Sequence, residues 1–381
     1  MMTIVFDDNN LHKKLAPLTL TRPVSELRFG INTISQSWIH YFGRCTVSYQ
    51  TQEYLNSKFT AATDVNAFYI AGNIKPTAEL AKQVAELKSG EKLMVNNRWI
   101  ASNGKNAANE IHKNQDDLLF IENLWDIFQK NDAAIKLDFE RIKEHRTSAV
   151  LSNSNQIAGI QNIFIEEGAK VEFSILNATE GPIYIAAHAE IMEGSMIRGP
   201  FALGEHSTVK MGAKIYGATT IGPHCKVGGE ISNSVFQAYS NKGHDGFLGN
   251  SVIGEWCNLG ADTNSSNLMN TYGKLKIYSF QTEKSEQTDI TFCGVLMGDH
   301  TKTGINTMLN TATVIGVSAN IFGAGFPAKY IPSFTWGAAE SCEKFKQEKA
   351  FEVATNMMLR RGIEFTEAEQ KIMQHLFQMA Q

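Results

Sequence analysis

The chain has 381 residues, with 35 Lys and Arg against 39 Asp and Glu and a formal net charge of -4. That balance excludes a strongly basic nucleic-acid footprint, and a hydrophobic content of 43% excludes a disordered chain. Length favours two or three domains, and the glycines divide the chain unevenly: of 30, 21 fall in residues 181–330 and 7 in the first 180.

The start has no basic stretch followed by an apolar one, so no secretory signal is expected. Nowhere do eighteen apolar residues run together, so no membrane span is expected either. Cys45, Cys225, Cys257, Cys293 and Cys342 are scattered without a C-x-x-C pair. Free thiols in a reducing cytoplasm fit this better than disulfides or a zinc site.

Residues 1–145 read as a reduced, mixed α/β domain. Strands are predicted at 3–6 and 67–71, and a helix over 76–88 with Leu80, Val84 and Leu87 on one face and Gly90 as its stop. Residues 92–95 and 98–100 form a hairpin turned by Asn96-Asn97, and 124–143 a further helix.

Residues 146–332 carry a repeat. Ile185, Ile191, Ile197, Leu203, Val209, Ile215, Ile221 and Val227 follow at steps of six; Phe247, Ile253 and Leu259 keep the step, as do Met297, Thr303, Leu309, Ile315 and Ile321. A helix would scatter a six-residue period around its circumference. Short strands joined by tight corners explain it, with one side chain inward per strand and three strands per coil of 18 residues. His188, His206 and His224, spaced by 18, are then expected to stack at one corner. A vertical stack diverges from a single metal point, so a solvated or subunit-facing ladder is favoured over a metal site. Residues 333–381 are expected to form two helices packed on the coils or on a neighbouring subunit, the second opened by a capping box of Thr366 and Glu369.

The repeat resembles the hexapeptide signature of left-handed parallel β-helices, whose members are usually homotrimers and many of them acyl-CoA-dependent acyltransferases. The fold class expected is therefore an α/β nucleotidyltransferase-like domain, a left-handed parallel β-helix and a helical tail. The register breaks after Val227, into Asn241-Lys242-Gly243-His244-Asp245-Gly246-Phe247-Leu248-Gly249-Asn250, then Asn258-Leu259-Gly260-Ala261 and Ser266-Asn267-Leu268. This segment resembles the acetyltransferase half of the GlmU-type bifunctional enzymes and, more closely, the archaeal fused sugar-1-phosphate nucleotidylyltransferase/amino-sugar acetyltransferases. Residues 298–306, Gly-Asp-His-Thr-Lys-Thr-Gly-Ile-Asn, resemble a further coil of that family.

The resemblance implies a trimeric acetyltransferase using acetyl-CoA on an amino sugar, sugar phosphate or sugar nucleotide. His244 falls on the family's catalytic histidine, and Asn258 and Asn267 on its two asparagines. A histidine of ordinary pKa can take a proton from an attacking amine at neutral pH. Backbone N–H groups near Asn258 to Ala261 can meet the oxyanion. Lys242, Phe247, Ala261, Lys274, Lys276 and Thr303 are further substrate or cofactor candidates. Phe247 replaces the family's tyrosine, and Asp262 places a carboxylate where a phosphate would be disfavoured.

The first domain faintly resembles a sugar nucleotidyltransferase. Asp7-Asp8-Asn9-Asn10 replaces its glycine-rich phosphate loop, and Leu20 to Leu27 lacks its lysine. Asn73 stands near its metal aspartate, a poor ligand for Mg²⁺. Asp8, Arg22, Arg28 and Asn73 are nucleotide-binding candidates, with structural ion pairing at least as good an account. Two rivals stay open: an active, Mg²⁺-dependent nucleotidyltransferase on a β-helical scaffold, and a non-catalytic sugar-nucleotide sensor.

Overall fold

The computed structural model describes residues 2–338 and 341–380. The N-terminal sheet has the strand order Cys45–Gln50, Met2–Asp7, Phe68–Ala71, Arg98–Asn103, Glu91–Val95, Asn109–Lys113. Met2–Asp7 pairs in parallel with both its neighbours, and its Ile4, Val5 and Phe6 are all fully buried, as a strand covered on both faces requires. Asn96 and Asn97 take φ of 51° and 62° at the predicted hairpin turn, the mirror-image geometry that matches strand twist. Helix α1 (Ile34–Phe42) opens on a capping box of Thr33 and Gln36, and α2 (Ala78–Ala85) on the hydroxyl of Thr77. The single helix predicted over 124–143 is two, α3 (Asp126–Gln129) and α4 (Asn131–His145). The break frees the fully buried Asn131 side chain to accept from the Gly30 N–H at 3.0 Å and donate to the Ala218 carbonyl at 2.9 Å.

From Gln156 onward the chain coils as a three-sided parallel β-helix, as expected. Face 1 runs from Ile163–Ile165 to Tyr330–Ile331, face 2 from Lys170–Val171 to Thr335–Gly337, and face 3 from Gln156–Ala158 to Met308–Leu309. All eight residues from Ile185 to Val227 in the predicted inward set are at most 2% exposed. Each such burial contributes about 1.5–3 kcal/mol.

The register break has a physical form. Gly228-Gly229 turns the corner after Val227 in so little chain that the next inward residue is Ile231, which pairs with Ile215 below. From there the set continues through Phe236 and Lys242 to Leu248. Phe247, expected inward, points outward on face 3, and fully buried Leu248 takes its place, five residues before the next inward residue, Ile253, instead of six.

The N-terminal domain packs on face 1. Val235, Val252, Leu296 and Val314, stacked outward on consecutive coils, share one apolar cluster with Phe6, Ile74 and Phe128. Lower down, Ile135 and Phe139 of α4 meet Phe164, Tyr184 and Ala202. The chain leaves the coil after Asn267, forms the hairpin Lys276–Ser279 with Lys284–Gln287, and returns at Val295. Helices α5 (Gln347–Leu359) and α6 (Glu367–Met379), the latter opened by the predicted capping box, pack on the corner between faces 1 and 2. That corner carries the expected ladder: His188, His206 and His224 stack at 5.0 Å centroid spacings, and Tyr239, Trp256 and His300 extend it upward. Among the described residues no cluster of three His, Cys, Asp or Glu could hold a metal.

Successive coils leave no room for extra atoms at some corners. A Cβ on Gly222 would lie 1.7 Å from the Gln237 carbonyl oxygen, whereas one on Gly243 would meet nothing nearer than 4.0 Å. Gly222→Ala is expected to cost about 1–3 kcal/mol by forcing two coils apart, and Gly243→Ala less than about 0.5 kcal/mol. Denaturant midpoints of the two variants measure the difference; equal midpoints would contradict the packing.

Candidate functional site

The corner between faces 2 and 3 holds the segment around His244. This imidazole is exposed, on the turn that joins Asn241–Lys242 to Phe247–Gly249. The turn is held from inside. Lys242 occupies an inward position with 1% exposure, and its Nζ donates to the carbonyls of His244 at 2.6 Å and Asp245 at 2.9 Å. Burial pushes its pKa down to about 8, against the attraction of Asp245 and Asp262. Its ammonium therefore fixes the turn that presents His244 and is turned away from any ligand at the surface.

The next coil stacks directly above. The Asp262 N–H donates to the Asp245 carbonyl at 3.1 Å, and the Phe247 N–H to Asn264 Oδ1 at 2.8 Å. Asn258 and Gly260 give their N–H groups to Thr301 and Thr303 of the coil beyond. The corner N–H of Ala261 has no acceptor among the described residues. His244 and Ala261 thus occupy the same corner on adjacent coils.

The other candidates divide. Asn258 lies on face 2, where its Oδ1 faces Asn241 Nδ2 at 3.4 Å, and Arg361 from the end of α5 donates to Asn241 Oδ1 at 3.1 Å. Phe247 lies on face 3, its ring over Gly249 and beside the Asn267 amide. Asn267 Nδ2 donates to Asn250 Oδ1 at 2.7 Å. Thr303 is inward, with its hydroxyl 2.8 Å from that of Thr263 and accepting from the Gly260 N–H. Lys274 and Lys276 belong to the excursion packed against the N-terminal domain, and Lys274 donates to its own loop at Asp289. The structure brings His244, Ala261 and, around the turn, Phe247 with Asn267 to one edge. Lys242 and Thr303 are internal, and Lys274 and Lys276 lie on a separate element.

The nucleotide-binding candidates are engaged by the protein itself. Asp8 accepts from the Val24 N–H at 2.8 Å and from the Thr51 hydroxyl, and burial pushes its pKa up to about 6. Asn73 is buried and its Nδ2 donates to the Ile121 carbonyl at 3.0 Å. Hard-cation ligation needs several oxygens converging on one point; Asn73 Oδ1 has no partner among the described residues, but both Asp8 oxygens already accept protein hydrogen bonds.

Arg22 and Arg28 face the β-helix. Arg22 pairs with Glu255 at 2.8 Å and with Asp299. Burial opposes its charge, yet Asp299 and Glu255 raise its pKa above the usual arginine value. Arg28 donates from Nε to the Gln237 carbonyl at 2.9 Å and from its own N–H to Gln237 Oε1 at 2.6 Å. Both arginines clamp the two architectures together. The partners lie more than 200 residues away in sequence, so no local signal marked the role.

A family model described as sugar nucleotidyl transferase matches residues 3–147. No curated protein matches the chain in sequence. Among solved structures, the polySia-specific acetyltransferase NeuO is similar at 15% identity and a TM-score of 0.25, over 46% of this chain and 81% of that one. The UDP-N-acetylglucosamine acyltransferase of Arabidopsis gives 16% and 0.30, over 58% and 80%. That of Campylobacter jejuni gives 17% and 0.22, over 58% and 94%.

The depressed pKa of Lys242 makes a prediction with a definite sign. Between pH 8 and the unfolded value of 10.5 the unfolded chain binds more protons than the folded one at this position. Stability contributed by this group therefore rises with pH across that window. Denaturant midpoints of wild type and Lys242→Met, measured from pH 7.5 to 10.5, should separate in favour of wild type as pH rises. Parallel curves would contradict a buried ammonium.

Proposed function

We propose that the chain is an acyl-CoA-dependent acyltransferase acting on an amino sugar, sugar phosphate or sugar nucleotide, with acetyl-CoA as donor and His244 as general base. One observation carries the reading: an exposed histidine on an internally locked turn, with an uncommitted corner amide in the coil above. The likeness of residues 241–267 and 298–306 to the acetyltransferase motif supports it.

In the proposed reaction the acceptor nitrogen attacks the thioester carbon while His244 takes the nitrogen's proton. The Ala261 N–H donates to the oxyanion that develops. The C–S bond then breaks, and the proton passes from the imidazolium to the departing thiolate. Asn258 and Asn267, one on each side of the corner, offer amide donors and acceptors to acceptor and donor substrates. Phe247 supplies an apolar surface where a tyrosine would supply a hydroxyl.

The reading includes a homotrimer in which face 3 meets a neighbour. Ile175 and Met196, each 42% exposed, and Tyr216 and Met308, each 39%, line that face. Apolar side chains gathered on one open surface favour association.

His244→Ala is expected to lower CoA release from acetyl-CoA plus an amino-sugar acceptor by at least about a hundredfold. Unchanged turnover in a folded variant would remove His244 as the base. The match of residues 3–147 favours a second reading, nucleotidyl transfer. The engagement of both Asp8 oxygens, and an amide at Asn73 where a metal carboxylate would serve, weigh against it, so no pyrophosphate release is expected from nucleoside triphosphate, sugar-1-phosphate and Mg²⁺. Steady release would establish the second activity.

A further inference from the structure

A cleft of about 280 Å³ lies where the N-terminal domain, the ring ladder and helix α6 meet, lined among others by Arg28, Trp256, His300 and Met373. It sits on the corner between faces 1 and 2, whereas His244 sits on the corner between faces 2 and 3. Its volume is near the lower end of ligand pockets, about 300–1,000 Å³, which suits one ring-sized molecule.

Three groups on residues that line it make fewer hydrogen bonds among the described residues than they can. Arg28 is 8% exposed, yet among the described residues no carboxylate lies within ion-pair distance of it. Among the described residues its guanidinium bonds only to the carbonyls of Gln237 and Ile31. A buried guanidinium without a counter-ion or a full set of acceptors is costly. The Arg22 Nε and His300 Nδ1 are both buried with no partner among the described residues. Burial holds the His300 pKa well below its usual value, so the ring is neutral and Nδ1 has one hydrogen bond unmade.

The charges on the wall argue against an anion. Lys58 is matched by Glu369, and Arg22 by Glu255 and Asp299 together. Glu26, held by the Tyr49 hydroxyl at 2.9 Å, balances Arg28 in sign without touching it. The formal sum of these groups is -1. Donors and acceptors are interleaved, and Trp256 forms an aromatic wall beside them, stacked at 4.2 Å on Tyr239 and at a wider 6.2 Å from His300. Hydroxyl groups both donate and accept, and the C–H face of a polyol ring packs on an aromatic surface.

We propose that this cleft is a second binding site, built for one uncharged polyhydroxylated ring of monosaccharide size. It is separate from the acyl-transfer corner. Its occupant touches all three parts of the chain, so binding fastens the N-terminal domain and α6 to the β-helix.

The test uses the full-length protein with glucose and N-acetylglucosamine as probes, and inorganic phosphate as the anionic arm. Saturation-transfer NMR should show contact with a monosaccharide, and the thermal midpoint should rise by about 3 °C at a hundredfold excess over Kd. Met373→Trp fills the cleft from α6, and Arg28→Lys removes the planar donor fork while keeping the charge. Each should weaken binding at least tenfold with an unchanged circular dichroism spectrum, while His244→Ala binds as wild type does. If Met373→Trp does not fold, Arg28→Lys alone decides. Absence of monosaccharide binding, binding undiminished in the folded variants, or a response to phosphate alone would each overturn the proposal.

Discussion

The close stacking of coil on coil governs everything else in this molecule. Neighbouring parallel strands lie about 4.8 Å apart, so a residue at one position in a coil sits directly under its equivalent in the next. One inward side chain per strand becomes a continuous apolar column from Ile163 to Ile331. One ring per corner becomes a stack with spacings near 5 Å. The same spacing leaves no room for a Cβ at Gly222 or Gly260, where it would fall on backbone of the adjacent coil. A rigid ladder of this kind can hold a turn such as 243–246 in one conformation, which a catalytic group requires.

The inward column also shows how polar chemistry enters the scaffold. Lys242 and Thr303 take positions where their neighbours are Val227, Leu259 and Ile321. Each is satisfied locally: Lys242 by turn carbonyls, Thr303 by the Thr263 hydroxyl and the Gly260 N–H. An ammonium inside the coil fits only where the chain bends enough to aim carbonyls inward. That bend lies at the coil whose register the two glycines at 228 and 229 have shortened.

Much of this was legible in the sequence, because the six-residue period is a direct imprint of the coil. The inward set from Ile185 to Val227, the histidine stack, the Asn96-Asn97 hairpin and the Thr366 capping box all rest on local spacing or turn chemistry. Phe247 escaped for a local reason too: a corner of unusual length shifts the period by one, and both Phe247 and Leu248 are apolar. Arg22 and Arg28 escaped for another reason. An arginine in a degenerate nucleotide loop and an arginine pairing with a distant coil look alike until Asp299 and Gln237 are placed beside them. The cleft against Trp256 was illegible for the same reason, since its walls come from five separate stretches of chain.

The two architectures are thereby made interdependent. Arg22 and Arg28 reach from the N-terminal domain across to the β-helix, and Asp8 is tied to its own neighbours. The proposed chemistry rests instead on the corner of His244 and Ala261. A crystal structure of the protein soaked with acetyl-CoA tests this most directly. The account predicts density for the thioester at that corner, with its carbonyl oxygen within hydrogen-bond distance of the Ala261 N–H and its pantetheine arm running along the coils. Acetyl-CoA bound elsewhere, or a corner left empty at saturating donor, would contradict it.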